Sequence, residues 1–158
     1  MSINVSITKI LIPVDGSKPS EKATEYAIDI AKRRKAELIA VHVMHLPAYA
    51  FTPTPIEGMA TPAVTPIPLS ISSEERKIAE KYLNKVKEMA KKTRVKVETK
   101  IIENRPSIVH AITEMAEKEN CNLIVIGTKG RTGIKKFLLG SVASGVVTYA
   151  SCPVLVVR

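Results

Sequence analysis

The stretch that decides the fold runs Leu123-Ile124-Val125-Ile126-Gly127-Thr128-Lys129-Gly130-Arg131-Thr132-Gly133, and eight residues later reaches Ser141 through Gly140. Four consecutive apolar residues, three of them β-branched, describe a strand buried on both faces. Glycines at 127, 130 and 133 then permit a turn, and Gly140-Ser141 opens an apolar-periodic segment read as a helix to about Ala150. Strand, glycine-rich turn and helix start are the parts of a parallel sheet with helical crossovers.

The same grammar recurs outward from there. Lys9-Ile10-Leu11-Ile12-Pro13-Val14 is a buried strand, closed by Asp15-Gly16-Ser17, a turn cluster that can also cap a helix. From Ser20, Ala23, Tyr26, Ala27, Ile30 and Ala31 recur at helical spacing. Glu37 to Met44 is a second buried strand, in which His42 is expected to be a hydrogen-bonded core residue; His45 lacks a third ligand for a metal site. Ser72 with Glu75 makes a capping box, and Ile78, Ala79, Tyr82, Leu83, Val86, Met89 and Ala90 form the face of the next helix. Val95, Val97, Thr99 and Ile101 alternate with Lys96, Glu98, Lys100 and Ile102, the mark of an edge strand with one face toward water. Pro106 suits the first position of a third helix, with Ile108, Ala111, Ile112, Met115 and Ala116 inward, His110 partly exposed and Asn120 as its stop. Pro153-Val154-Leu155-Val156-Val157 is the last strand.

Nearly solid strands alternating with helices predict an α/β fold: a doubly wound, Rossmann-like five-stranded parallel sheet of order 3-2-1-4-5 with helices on both faces. The first and fourth strands are then neighbours, and ligands bind outside their carboxyl ends. Pro13-Val14-Asp15 meets Gly127 and the glycine-rich turn at that point. The final strand becomes an entirely apolar edge, which predicts a two-fold homodimer through residues 154–157.

Composition bounds the rest. A chain of 158 residues, 45% hydrophobic and 25% charged, suits one domain. Six of the ten prolines fall within 46–71 and set that stretch apart as an extended insertion, either a lid or partner-binding arm or a tolerated surface excursion. No apolar run approaches the roughly 18 residues of a membrane span, and the N-terminus has no signal-peptide pattern, so a cytoplasmic protein with no membrane association is expected. Cys121 and Cys152 are read as small buried residues. The net charge of +9 is spread along solvated helix faces, without the basic-aromatic pairing of single-strand binders, which argues against nucleic acid.

Phosphates are held by backbone N–H groups where no Cβ intervenes, and a helix N-terminus adds roughly half a positive charge. Gly127 and Gly130 offer close approach, Gly140-Ser141 a helix start with a hydroxyl, and Asp15 an acceptor for a ribose hydroxyl or, less directly, a group that helps bind a phosphate-bound cation. Together these suit a nucleotide, although the glycines also fit plain turn residues and Asp15 a helix cap. Walker A is absent, since Ile134-Lys135-Lys136 comes after Gly133, and the dinucleotide fingerprint is absent after the first strand, which ends Asp15-Gly16-Ser17.

Gly127-x2-Gly130-x9-Gly140-Ser141, with ILIPVDGS near the start and PVLVV at the end, resembles the universal stress protein family and its ATP-binding signature. The likeness covers nearly the whole chain apart from the proline-rich arm. It implies an ATP-binding homodimer with Pro13, Val14 and Asp15 lining the adenosine site, Asp15 on the ribose and Val43 at adenine. Gly127, Thr128, Lys129, Gly130, Arg131, Thr132 and Gly133 would form the phosphate loop, and Gly140, Ser141, Val142 and Ala143 the phosphate end. The cofactor implied is ATP, with magnesium or manganese entering through the phosphates, and the partner is ATP or another adenine nucleotide.

The loop has four cations, Lys129, Arg131, Lys135 and Lys136, but no carboxylate or Gln to orient a water. No catalytic and no protein metal-ligating residue is therefore assigned. The leading reading is an ATP-binding, stress-related regulatory protein with at most slow hydrolysis. An adenine-nucleotide α-hydrolase is the rival, disfavoured because Val14-Asp15-Gly16-Ser17-Lys18 stands where such enzymes carry an SGGxDS-like loop. A nucleotide-free scaffold is the third.

Overall fold

The computed structural model describes residues 5–45, 53–54, 63–64, 73–105, 107–129 and 139–158. The chain begins β1 (Lys9–Pro13), α1 (Lys18–Arg34), β2 (Glu37–His45), and continues with two short strands, β3 (Pro53–Thr54) and β4 (Ala63–Val64). Then come α2 (Ser73–Lys91), β5 (Val97–Arg105), α3 (Ile108–Lys118), β6 (Leu123–Gly127), α4 (Ser141–Tyr149) and β7 (Val154–Val157). The main sheet has order β5-β2-β1-β6-β7 with every neighbour parallel, the 3-2-1-4-5 arrangement in terms of its five strands. Within the proline-rich stretch, Pro53 and Thr54 pair antiparallel with Val64 and Ala63; its other residues lie outside the described ones.

Strand alternation sends side chains to two apolar layers. Ile10, Ile12, Leu38, Ala40, Leu123 and Val125 pack under α1 and α2, whereas Leu11, Ile39, Val41, Ile124 and Ile126 pack under α3 and α4. Ile10, Leu11 and Ile12 are fully inaccessible, each worth about 1.5–3 kcal/mol of burial. This two-sided covering explains why β1 and β6 read as unbroken apolar runs rather than alternating ones.

Helix ends obey local chemistry. Ser17, in extended conformation, accepts from the N–H of Ser20, so α1 starts at Lys18, two residues before the expected Ser20. Lys35, at φ 56°, closes it in the left-handed region. Ser107 caps α3 by accepting from His110 N at 3.2 Å, which places the cap after Pro106 rather than making Pro106 the first helical residue; Pro106 itself lies outside the described residues. Asn120, at φ 53°, comes after the helix as its stop. Ser72 of the expected capping box is also outside the described residues, while Glu74 and Glu75 occupy the first turn of α2.

Two edge expectations fare differently. β5 is an edge, but its face is not simply wet: Ile102 is buried in the α3/α4 layer, and Lys100 is neutralised by Glu119 at 2.5 Å and Glu98 at 3.2 Å. The hydrogen bond to Glu119 leads the causes that raise the Lys100 pKa. β7 is the opposite edge, with Val154, Leu155 and Val156 half-buried.

The seam between β1 and β6 joins segments more than a hundred residues apart, and only Ile10↔Leu123 and Leu11↔Ile124 are in register. Below it, Asn122 ties the ends together. Its Oδ1 accepts from Thr8 N and Lys9 N, and its Nδ2 donates to Ser6 O and Thr8 Oγ1. Above it the strands part, and the crevice opens.

Candidate functional site

A cavity of about 330 Å³ lies at the carboxyl ends of β1, β2 and β6, within the range of small-molecule sites. Pro13, Val14 and Asp15 form its β1 side, Val43 its β2 side, and Gly127 and Lys129 the β6 exit. Gly140, Ser141, Val142 and Ala143 close it with the first turn of α4. Those ten residues were all expected from the sequence. Thr128 does not line the cavity; its backbone is structural, donating to Val157 O at 2.8 Å and accepting from Gly140 N at 2.7 Å. Gly130, Arg131, Thr132 and Gly133 lie outside the described residues, as do Lys135 and Lys136.

The β1 exit is held by a chain of short-range bonds. Val14 N donates to Val41 O at 2.8 Å, and Asp15 N donates to Ser20 Oγ at 3.3 Å. The Asp15 carboxylate accepts from Ser17 N at 2.9 Å through Oδ1, so Asp15 makes an Asx turn, while the cap of α1 is Ser17. Ser17 Oγ donates onward to Lys129 O at 3.3 Å, linking the β1 exit to the β6 exit.

The glycines have different reasons from one another. A Cβ on Gly127 would lie 2.7 Å from the Pro19 carbonyl carbon and 2.9 Å from Ser20 N, so the missing side chain admits the first turn of α1 against β6. Its openness therefore faces helix packing, where the sequence had suggested ligand approach. A Cβ on Gly140 would stand 2.9 Å from Thr128 O; this glycine lets the start of α4 sit directly on the β6 exit. Gly16 has φ +77°, a conformation that side chains disfavour.

The helix N-termini differ in the same way. α1 and α3 have serine caps, but Gly140 caps α4 with no side-chain hydrogen bond. The first intrahelical bond there is Ser144 N to Gly140 O at 2.9 Å, so the N–H groups of Ser141, Val142 and Ala143 have no acceptor within the helix. They end at the cavity with the positive pole of the helix dipole behind them. Chemically this is one end suited to an anion, one carboxylate, and an apolar middle.

The middle was not recognised from the sequence. Val41, Ile126, Ile108 and Ile112 line the cavity, with Ser20 and His42. Ile108 and Ile112 read as ordinary inward residues of α3, and their one-turn spacing fits a core face equally well; their place at the start of the helix that follows the carboxyl end of β5 was the available signal. His42 is hydrogen-bonded as expected, with Nδ1 2.7 Å from Val14 O, yet it also borders the cavity. His110 is exposed on α3. Cys121 is buried and its thiol is pushed up to about 11 by desolvation; Cys152 is half-buried and also free. No helix among the described residues is long and apolar enough to cross a membrane.

Comparison with known proteins agrees with this geometry. The model of the universal stress protein family matches residues 6–158. Universal stress protein MJ0531 of Methanocaldococcus jannaschii is 40% identical over 150 residues, covering 95% of this chain and 81% of that one. Among solved structures, hypothetical protein MJ0577 superposes with a TM-score of 0.70 at 28% identity, over 97% of this chain and 96% of its own. A universal stress protein in complex with cAMP has a TM-score of 0.68 at 22% identity, over 98% of each chain. One from Archaeoglobus fulgidus in complex with dAMP has 0.67 at 20%, over 98% of this chain and 100% of that one; these last two likenesses are of fold.

Proposed function

We propose, from the premise that the chain belongs to the universal stress protein family, that it is an ATP-binding regulatory protein of the stress response. The observation that carries this reading is the uncapped N-terminus of α4 opening into an apolar cavity that Asp15 also lines. Backbone N–H groups of Ser141, Val142 and Ala143 receive phosphate oxygens, with Lys129 and the residues 130–133 completing the phosphate end. Adenine lies among Val41, Val43, Ile108 and Ile112, and Asp15 accepts from the ribose. Solved relatives that share the fold are in complex with adenine nucleotides, dAMP and cAMP, which supports the adenine assignment.

Magnesium or manganese arrives with the triphosphate as a hard cation held by phosphate oxygens. Among the described residues no three His, Cys, Asp or Glu side chains gather around a point. Turnover is slow at most, because Asp15, the one carboxylate among the described residues that line the cavity, is assigned to the ribose. Two copies pair through β7, an apolar edge strand, and α4 carries exposed Val147 and Tyr149. The chain works in the cytoplasm as one nucleotide-binding domain, and its free Cys121 and Cys152 suit a reducing compartment.

Mass spectrometry of small molecules released from purified, denatured protein tests the reading. ATP or ADP is expected at about one per chain. An empty protein that also shows no thermal shift with ATP refutes it, and AMP production from added ATP favours the hydrolase instead.

A further inference from the structure

His42 borders the cavity from the side of the sheet that α2 covers. Along β2, Leu38 and Ala40 belong to the layer under α1 and α2, and Ile39 and Val41 to the layer under α3 and α4. His42 shares the parity of the first pair, and its ring meets Tyr82 of α2 at 5.7 Å between centroids and 56° between planes. A carbonyl oxygen only accepts, so the 2.7 Å contact to Val14 O requires the proton on Nδ1. Tyr82 reaches further, onto Gly16: a Cβ there would lie 2.2 Å from the ring. The tripeptide Val14-Asp15-Gly16 is thus gripped at its first residue by His42 and covered at its third by Tyr82. Asp15 lies between them, with one carboxylate oxygen turned to Ser17 N.

We infer that His42 and Tyr82 are positioning residues of the nucleotide site, which aim the Asp15 carboxylate at the ribose hydroxyls by fixing the peptides on either side of it. The inference rests on the proposed nucleotide reading and deepens it. Through Asp15 they act on the sugar hydroxyls, so they set the preference for a ribose over a sugar without hydroxyls. Loss of the grip removes a charge-assisted hydrogen bond and lowers affinity for ATP roughly tenfold or more.

The test is calorimetric titration of the full chain with ATP and with 2′,3′-dideoxy-ATP, for the parent, His42→Leu and His42→Asn. The parent is expected to prefer ATP. His42→Leu loses roughly tenfold more for ATP than for the dideoxy nucleotide, so the preference collapses. His42→Asn restores it, because its amide nitrogen is as many bonds from Cα as Nδ1. Equal losses for both nucleotides in His42→Leu, an intact preference, or no rescue by His42→Asn overturns the inference. A parent that binds both nucleotides equally removes Asp15 from the ribose and the inference with it, while leaving phosphate binding standing; a parent that binds neither refutes the nucleotide reading itself. If His42→Leu does not fold, the imidazole 15N spectrum of the parent still decides: an Nδ1-protonated ring is expected, and a ring protonated only at Nε2 overturns the proposal.

Discussion

Replacing Gly140 by alanine perturbs both the anion end and the packing of α4 on the β6 exit. The residue has φ −63° and ψ 154°, an extended conformation open to any amino acid, so Gly140→Ala brings no backbone strain. Its effect comes from the new methyl, 2.9 Å from Thr128 O and 3.4 Å from Lys129 Cα, both backbone atoms that cannot rotate aside. The same oxygen accepts the 2.7 Å bond from Gly140 N, so the methyl and the hydrogen bond cannot both be kept. Losing a neutral hydrogen bond costs about 1 kcal/mol. Crowding in a packed region costs about 1–3 kcal/mol. Together they predict roughly 2–4 kcal/mol of lost stability, less where the start of α4 retreats to relieve the contact. That retreat withdraws the N–H groups of Ser141 to Ala143 from the phosphates. One lost hydrogen bond to a charged group is worth about 1.5–3 kcal/mol, a fall of roughly ten- to a hundredfold in ATP affinity. Adenosine has no phosphate and keeps its affinity. Isothermal titration with ATP and adenosine, paired with urea unfolding, measures both effects. Proportional losses for the two ligands refute the assignment of α4 to the phosphates, and unchanged stability refutes the packing argument.

Other parts of the site give further outcomes. Asp15→Ala weakens ATP and adenosine alike in the same titration; a loss for ATP alone would move Asp15 to the metal and phosphate end. Gly127→Ala drives a methyl to 2.7 Å from the Pro19 carbonyl carbon and lowers the unfolding free energy in urea by about 1–3 kcal/mol, an effect that an unchanged value would disprove. Cys121 has a folded pKa near 11, above its unfolded value, so its contribution is complete below the unfolded pKa and is lost as pH rises from about 9 toward 11. Accordingly, the stability difference between parent and Cys121→Ala narrows from about pH 8 to about pH 10.5, as read from urea unfolding, and a constant difference would contradict the burial argument. Light scattering at micromolar concentration gives twice the chain mass for the parent, and Leu155→Pro, which disrupts the β7 edge, reduces it to one; a parent already at a single chain mass would remove the β7 pairing.

The sheet was legible because both of its cues are local. Solid apolar runs at 10–12 and 123–126 can arise only where helices cover two faces, and the alternation at 95–101 could only be an edge. Asp15, Gly140 and Ser141 were legible for a related reason: polar and glycine residues at the ends of apolar runs have few other uses. Residues that serve packing and the cavity at once were not. Ile108 and Ile112 satisfy helical periodicity completely, so nothing in their spacing distinguishes a wall of α3 from its core. Gly127 lines the cavity and has a second duty that its position did not show. A glycine after a strand fits a phosphate loop, but the atoms that exclude its side chain belong to Pro19 and Ser20, about a hundred residues away in sequence. Tyr82 read as a helix-face aromatic, and only the fold brings it over Gly16.

The short β1–β6 seam has a kinetic meaning. Two registered pairs and the Asn122 clamp join halves of the chain that are synthesised far apart, and the crevice above them is spanned by few backbone bonds. Such distant closure is entropically late in folding. A molecule bound across the crevice rejoins the same two halves, and at about a hundred times its dissociation constant it deepens the native well by about 2.7 kcal/mol. Where proteolysis proceeds through opening of this seam, the lifetime of the chain then tracks the concentration of its ligand, and under the proposed nucleotide reading abundance itself becomes a record of nucleotide supply.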